Sequence, residues 1–144
     1  MQALVLTAIA LALAAAPAAR AAELTDAARQ AAFAADLKPF DAMQSQGWQG
    51  SPPLYRTTAE GKPDGVRFAL QPGSYMIVAK CHCEQMDVTL VTPDAAEPKP
   101  LRASAQAALY SLDVTAPGTY LTGVDMDACQ AKSCDFVVKV YRKK

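Results

Sequence analysis

Apolar residues recur at every second position through the C-terminal two thirds of the chain. Neighbouring side chains of an extended strand point to opposite faces of its sheet, so this period indicates strands with one buried face. The segments are short and are separated by turns rich in Pro and Gly, which is typical of a β-sandwich or a barrel. The alternating positions are Val66, Phe68, Leu70; Tyr75, Ile77, Ala79, Cys81, Cys83; Val88, Leu90, Thr92; Tyr110, Leu112, Val114; Tyr120, Thr122, Val124, Met126; and Phe136, Val138, Val140.

A helical period precedes the strands, in residues 23–47. Phe33, Leu37 and Phe40 fall at positions i, i+4 and i+7, which lie on one face of a helix. Proline removes a backbone donor and clashes with the preceding turn, so Pro39 is expected to end or kink this helix near Leu37. The apolar stripe predicts a short helical segment that docks on the body of its own domain.

The sequence also repeats itself. Residues 72–75, Pro-Gly-Ser-Tyr, recur as Pro-Gly-Thr-Tyr at residues 117–120, with similar apolar segments before and after each copy. Each half therefore predicts a strand, a Pro-Gly turn, a strand, a cysteine-bearing hairpin and a final strand. Neither half can bury its apolar face alone, so the halves are expected to pack face to face as two sheets. The fold class is then mainly β: an antiparallel, jelly-roll-like β-sandwich over residues 48–144, built from two echoing halves.

The first 22 residues differ from the rest of the chain. An unbroken apolar run from Val5 to Ala16 is followed by Pro17 and several small residues. Such a run is too short to span a bilayer, which takes roughly 20 helical residues, and it suits the core of a cleavable signal peptide. We therefore expect residues 1–22 to be a signal peptide and the mature protein to be periplasmic or secreted. No later apolar run approaches the length of a transmembrane helix, so no such segment is expected in the mature protein.

The near-neutral charge of the chain argues against nucleic acid as a partner. The chain carries 14 Lys and Arg residues and 14 Asp and Glu residues, and loss of Arg20 with the leader leaves a net charge of −1. Nucleic-acid binding rests on clustered positive charge, so a near-neutral domain is not expected to bind nucleic acid. The basic tail at residues 142–144 is short and terminal, and we expect it to be solvated. The expected partner is an unidentified protein or a ligand of the cell envelope.

The paired Pro-Gly-x-Tyr strands, each with cysteines near its hairpin, carry a family resemblance. They resemble exported bacterial β-sandwich proteins of the pre-peptidase C-terminal domain type, over roughly residues 50–142. The resemblance implies the same sandwich fold. Domains of that type commonly accompany secreted peptidases as non-catalytic appendages, with roles in secretion, substrate binding or calcium-stabilised folding. No catalytic domain precedes the sandwich here, so the resemblance implies a fold more than an activity.

Four cysteines in a small exported domain predict two disulfides. Cys129 and Cys134 flank a short loop and can bridge locally, which leaves Cys81 and Cys83 to bridge across one residue. In an extended strand the Cα atoms of this second pair stand about 6.5–7 Å apart, at the limit for a disulfide, so a local turn is required. Crossed pairs between the two hairpins avoid this constraint. Local and crossed pairings both stay open.

The segment Cys81-His82-Cys83 supports an alternative function. A strained cysteine pair suits a small thiol-redox protein, and His82 with Met86 and Met126 would add ligands for a soft metal ion such as copper, or for zinc. No helix pattern follows Cys83, however, so nothing lowers the pKa of a thiolate as redox enzymes require. Strand alternation also points His82 away from both cysteines.

Four acidic residues surround the two predicted hairpins. They are Asp87, Asp125, Asp127 and Asp135. Calcium takes six to eight oxygen ligands, and acidic hairpin loops can supply them. The four positions lack the spacing of an EF-hand. We therefore keep calcium as a candidate ligand, beside the expectation that the protein needs no cofactor.

No catalytic constellation stands out in the sequence. His82 is the only histidine, and the Gly-x-Ser-x-Gly motif that carries a nucleophilic serine is missing. The expected function is therefore non-enzymatic: an accessory or binding module of the periplasm or the cell exterior. Loops on a rigid sandwich usually carry recognition, so residues 93–100 are a candidate recognition loop. The alternative is a small thiol-redox or metal-binding protein that uses Cys81-His82-Cys83.

Overall fold

A computed structural model gives the coordinates of the protein. It describes residues 26–94, 99–101 and 106–144. The predicted signal peptide lies outside the described residues, and so do residues 95–98 of the candidate recognition loop. No helix within the described ranges is long and apolar enough to cross a membrane.

The described fold consists of an N-terminal helical segment and nine strands. Helix α1 spans Asp26–Asp41 and continues into a short 3-10 helix, Ala42–Gln46. The strands pair in antiparallel fashion, which confirms the predicted fold class. The strands are β1 (Trp48–Gly50), β2 (Leu54–Ala59), β3 (Asp64–Leu70), β4 (Gly73–His82), β5 (Gln85–Val91), β6 (Lys99–Leu101), β7 (Ala107–Val114), β8 (Gly118–Ala128) and β9 (Ser133–Lys143).

The strands form two sheets, and each sheet mixes strands of both echoing halves. Sheet A has the order β1-β9-β4-β7, with β2 also paired to β9, and sheet B has the order β3-β8-β5-β6. The two halves were expected to form one sheet each, but they interleave. The reason is that each Pro-Gly turn carries the chain from one sheet to the other. The strand after each turn, β4 or β8, therefore lies between two strands of the opposite half.

The main core lies between the two sheets and is built from the alternating apolar positions of the strands. One polar pair crosses this core: the Tyr110 hydroxyl on β7 lies 2.9 Å from Oγ1 of Thr122 on β8. Thr122 is fully buried. Burial raises the pKa of Tyr110 to about 12, and the hydrogen bond to Thr122 opposes that rise only in part. The pair is a polar link between the sheets in a core that otherwise consists of apolar side chains.

Helix α1 covers the outer face of sheet A, as the apolar stripe predicted. Phe33 and Leu37 are buried there, and Phe40 packs partly buried beside them. The helix rests on a second, smaller core formed by β4 and β9. Its buried sheet residues are Met76, Val78, Val137 and Tyr141.

The helix runs through Pro39 to Asp41 and does not end near Leu37 as expected. Its C-terminal end is anchored to the sheet through Asp41. The Tyr141 hydroxyl donates a hydrogen bond to Asp41 Oδ1 at 2.9 Å, and the Lys139 ammonium pairs with the same oxygen. Burial, with the bond to this carboxylate, raises the pKa of Tyr141. These contacts stabilise the last helical turn, and they offset the cost of a proline inside it.

Truncation of Phe33 tests the docking of the helix. Phe33→Ala empties a fully buried site between α1 and sheet A, so we expect the free energy of unfolding to fall by about 3–5 kcal/mol. Urea unfolding followed by circular dichroism measures the loss. Gln30→Ala, an exposed position on the same helix, is the matched control and should change stability by less than about 0.5 kcal/mol. A similar small loss for Phe33→Ala would contradict the docked helix.

Alkaline pH tests the buried tyrosines. A folded-state pKa above the ordinary value of 10.0 means that the neutral phenol stabilises the fold below pH 10, and that this contribution is lost as pH rises towards 12. We expect the free energy of unfolding to fall across that window. In Tyr110→Phe the fall should be smaller, because one of the raised groups is gone. An identical pH dependence in the wild type and in Tyr110→Phe would show that the pKa of Tyr110 is not raised in the folded protein.

Candidate binding cleft

Both disulfides are local. Cys81 bonds to Cys83 with Cα atoms 5.3 Å apart, and Cys129 bonds to Cys134 with Cα atoms 5.6 Å apart. The turn required for the first pair is present, because β4 ends at His82 and the chain bends at Cys83 and the next residue. No thiol is free. The pairing left open by the sequence is therefore local, and the cysteines stabilise the two hairpins separately.

The candidate soft-metal residues are not brought together. His82 lies on the helix side of sheet A, where its Nε2 is 3.1 Å from Asp36 Oδ2 and its ring stacks on Phe33 with centroids 4.0 Å apart. Met86 and Met126 are cross-strand neighbours in sheet B and are buried in the main core. A sheet therefore separates the imidazole from both thioethers. In the described ranges no three His, Cys, Asp or Glu residues are grouped to hold a metal ion.

The four acidic residues fall on two opposite surfaces. Asp87 and Asp125 are cross-strand partners on the outer face of sheet B, with Asp127 two residues further along the same strand. Asp135 lies on the outer face of sheet A, where it accepts hydrogen bonds from Arg29 at 3.1 Å and from the Thr57 hydroxyl. Within the described part of the chain, Asp125 Oδ1 is buried without a hydrogen-bond partner. Calcium binding stays a prediction, and it would have to do without Asp135.

A cleft of about 620 Å³ opens at one edge of the sandwich, where the two sheets separate. On sheet A it is bounded by the end of β1 and by the residues that follow it. These residues, 51–53, belong to no strand, so sheet A is interrupted there between β1 and β2. On sheet B the cleft is bounded by the second half of β3. Its apolar walls are Pro52, Phe68, Leu70, Tyr75 and Val140.

Arg142 is held in a fixed position in this cleft. Its guanidinium lies over the ring of Tyr75, 5.7 Å from the centroid, and its Nη2 donates to the Pro72 carbonyl at 2.9 Å. The Tyr75 hydroxyl in turn donates to the carbonyl of Gln71 at 2.8 Å. Gly73 leaves the space that the guanidinium needs, since a Cβ there would stand 3.2 Å from Arg142 Nε. The remaining N–H donors of Arg142 are available to a ligand in a defined geometry.

A second arginine lines the cleft without a partner of its own. The side chain of Arg67, on β3, is exposed and makes no hydrogen bond or ion pair with any residue that the structure describes. The residues that line the cleft include no Asp or Glu. The cleft therefore combines apolar walls with the positive charge of Arg142, and Arg67 adds a second uncompensated charge at its edge.

Another hollow, of about 410 Å³, lies between α1 and β2. It also contains an arginine, Arg29, but this side chain is paired with Asp135 at 3.1 Å. Its charge is therefore already compensated within the protein. The first cleft is the better candidate for a binding site, because its positive charge remains available to a ligand.

Neither arginine of the cleft was singled out by the sequence. Arg142 was expected to belong to a solvated tail, but it lies in β9 opposite Tyr75. The register between β4 and β9 is what places Arg142 beside Tyr75, and a sequence pattern alone does not define that register. Arg67 occupies an outward position of an alternating segment, where a charged residue is ordinary. What distinguishes it is the position of β3 at the edge of sheet B.

Comparisons with known proteins return partial structural likeness only. No protein-family model matches the chain, and no curated protein sequence matches it, so the resemblance to the pre-peptidase C-terminal type is not confirmed. The crystal structure of PliG from Aeromonas hydrophila, a periplasmic inhibitor of g-type lysozyme, is similar with a TM-score of 0.48 and 16% identity. PliG from Salmonella Typhimurium gives 0.45 and 18%. Each comparison covers 66% of this chain and 87% of the other. At this level no function follows from the likeness.

Each disulfide closes only a short loop, so each is expected to make a modest contribution to the free energy of unfolding. In the chain-entropy model a bridge that closes only a few residues contributes about 2 kcal/mol, against about 4 for one that closes some 50 residues. We expect the double variant Cys129→Ser with Cys134→Ser to lose about 2 kcal/mol in urea unfolding. Peptide mapping without reductant, with a protease that does not cleave at Lys132, should recover each pair within one peptide. A peptide that joins the two hairpins would contradict the local pairing.

Proposed function

We propose that this protein is an exported, non-enzymatic binding module of the periplasm or the cell exterior, and that it binds its partner in the cleft between β1 and β3. The observation that carries the proposal is the fixed guanidinium of Arg142 above an apolar floor, with Arg67 on the adjoining edge strand and no carboxylate among the lining residues. Preformed clefts of about 300–1,000 Å³ with a few placed polar groups are the usual form of a binding site. An anion-bearing partner would compensate both guanidinium groups.

The rigidity of the surrounding fold supports this assignment. The cleft floor belongs to β4 and β9, which are buried under the helix on one side and in the main core on the other. Arg142 is fixed by Tyr75 and by the Pro72 carbonyl before any ligand arrives. A site whose groups are already in place loses little conformational entropy on binding, which favours affinity.

The alternative role at Cys81-His82-Cys83 has less support. Both cysteines are in a disulfide and face the main core, while the imidazole faces the helix and is paired with Asp36. The three side chains therefore do not converge on a common point. A metal-binding or redox role would need them to act together.

Site-specific photo-crosslinking in cells tests the proposed site. A benzophenone amino acid placed at Gln71, on the rim of the cleft, should form an adduct with the partner. Arg142→Gln in the same background should reduce that adduct by about fivefold or more, because it removes one of the two charges. The same amino acid at Lys132, exposed in the loop between β8 and β9, is the control and should form no such adduct. Equal adducts from both positions, or no effect of Arg142→Gln, would place the binding surface elsewhere.

Purified g-type lysozyme is one defined probe for the same pair of crosslinking positions. This enzyme is the one that the two PliG proteins inhibit. An adduct that forms at Gln71, depends on Arg142 and is missing at Lys132 would identify the enzyme as a ligand of the cleft. An enzyme that forms none is excluded as the partner, and the search then turns to other proteins of the cell envelope.

A further inference from the structure

The free edge of β3 narrows the chemical class of the partner. We infer that the ligand of the cleft is an extended acidic segment of a partner protein, which adds as a strand to β3 and places a carboxylate on Arg142. This inference rests on the proposed function and deepens it. Three features of the described residues carry it: the edge position of β3, the charge of the cleft, and the alternation of its walls.

The first feature is backbone hydrogen bonding. β3 pairs with β8 on one side and with no other strand of the described ranges. An edge strand presents a row of N–H and C=O groups, and extended peptides commonly bind by adding to such an edge. Sheet A does not cover this edge of β3. The residues between β1 and β2 belong to no strand, and the cleft opens beside them. An added segment would pair with the second half of β3, residues 66–70, beside the cleft. At the other end of the strand the Gly65 N–H already donates to Asp64 Oδ1 at 2.7 Å.

The second feature is charge. Arg142 retains unused N–H donors, and Arg67 makes no ion pair in the part of the chain that the structure describes. Guanidinium groups bind carboxylates with two parallel hydrogen bonds, which lysine cannot do. A neutral or basic segment would leave both charges uncompensated in a partly enclosed cleft. An acidic segment compensates them.

The third feature is the pattern of the cleft walls. Phe68 and Leu70 are on the inner face of β3, and Arg67 lies on the opposite face of the same strand. Side chains of an added strand alternate in the same way, so every second one faces the apolar floor near Tyr75. Arg142 lies beside Tyr75 on the inner face, whereas Arg67 lies on the outer face, so the expected segment combines apolar residues with at least one acidic residue on each face.

The edge strand β7 of sheet A does not share this chemistry. β7 is the edge of sheet A, and it carries the exposed Leu109 and the acidic Asp113, which accepts a hydrogen bond from Ser74 at 2.7 Å. An acidic segment would meet a like charge there. β7 is therefore the site where binding would contradict the inference.

Synthetic peptides test the inference directly. The probe is an acetylated seven-residue peptide of valine and glutamate, in which at least one glutamate falls on each face of the extended chain. The first matched peptide carries glutamine for every glutamate, and the second carries proline at alternate positions, which cannot donate to a β-ladder. Fluorescence polarisation measures the dissociation constants, and amide chemical shifts in labelled protein report where each peptide binds.

We expect the glutamate peptide to bind about tenfold more tightly than the glutamine peptide, and to shift the amide signals of β3. Arg67→Gln should abolish most of that preference without affecting the fold, because Arg67 makes no hydrogen bond or ion pair with any described residue. Arg142→Gln should also abolish most of the preference. Arg56→Gln, an exposed arginine on β2 outside the cleft, is the charge-matched control and should keep the preference.

Several outcomes would overturn the inference. Equal affinity of the glutamate, glutamine and proline peptides would show that neither carboxylates nor strand pairing matter. Chemical-shift changes in the amide signals of β7 would show that the peptide binds at β7 and not at β3. Inorganic phosphate, or an oligosaccharide of uronic acids, that binds as tightly as the glutamate peptide without shifting β3 would make the cleft a site for small anions or saccharides. In each case an Arg142-dependent crosslink from Gln71 would still support the proposed function, so the two proposals fail separately.

Discussion

The central strands of sheet A, β4 and β9, are buried on both faces, and the rest of the structure depends on this constraint. From Cys134 to Tyr141 of β9, every residue except Asp135 is buried. One face of the strand packs into the core between the sheets, and the other packs under α1. β4 behaves in the same way from Tyr75 to Ala79. Strands covered on both sides are apolar at consecutive positions, whereas a strand with one wet face alternates.

This double burial also explains where the polar contacts of the helix lie. A lysine on the covered face of β9 cannot reach bulk water freely, and an unpaired buried ammonium group is costly. Lys139 therefore pairs with Asp41, and the same carboxylate accepts the hydroxyl of Tyr141. Gly50 of β1 completes the arrangement, because a Cβ there would stand 2.8 Å from the Lys139 side chain. The helix extends past its proline because this group of contacts needs Asp41 at that position.

Much of the fold could be predicted because period two reports a buried face directly. The second buried face of Tyr75–Ala79 was not predicted, since the alternating pattern was interpreted as one buried face, although the helix stripe did predict a docked helix. The interleaving of the halves could not be predicted, since a Pro-Gly turn has the same local sequence whether the chain stays in a sheet or changes sheets. The binding cleft could not be predicted from the sequence for a similar reason. Arg67 and Arg142 are far apart in the sequence, and only strand order and register bring them to one cleft.

The place of β9 in sheet A has a consequence for how the chain can fold. β9 is the last strand in the sequence, yet it pairs with β1, β2 and β4 and so joins the first strands to the middle of the sheet. The N-terminal helix cannot find its complete docking surface until the final strand has been delivered, because Val137 and Tyr141 form part of it. Contacts between such distant segments close large loops and form slowly. A chain that is threaded through a membrane from its N-terminus therefore cannot complete sheet A, or dock its helix fully, until the final strand has emerged.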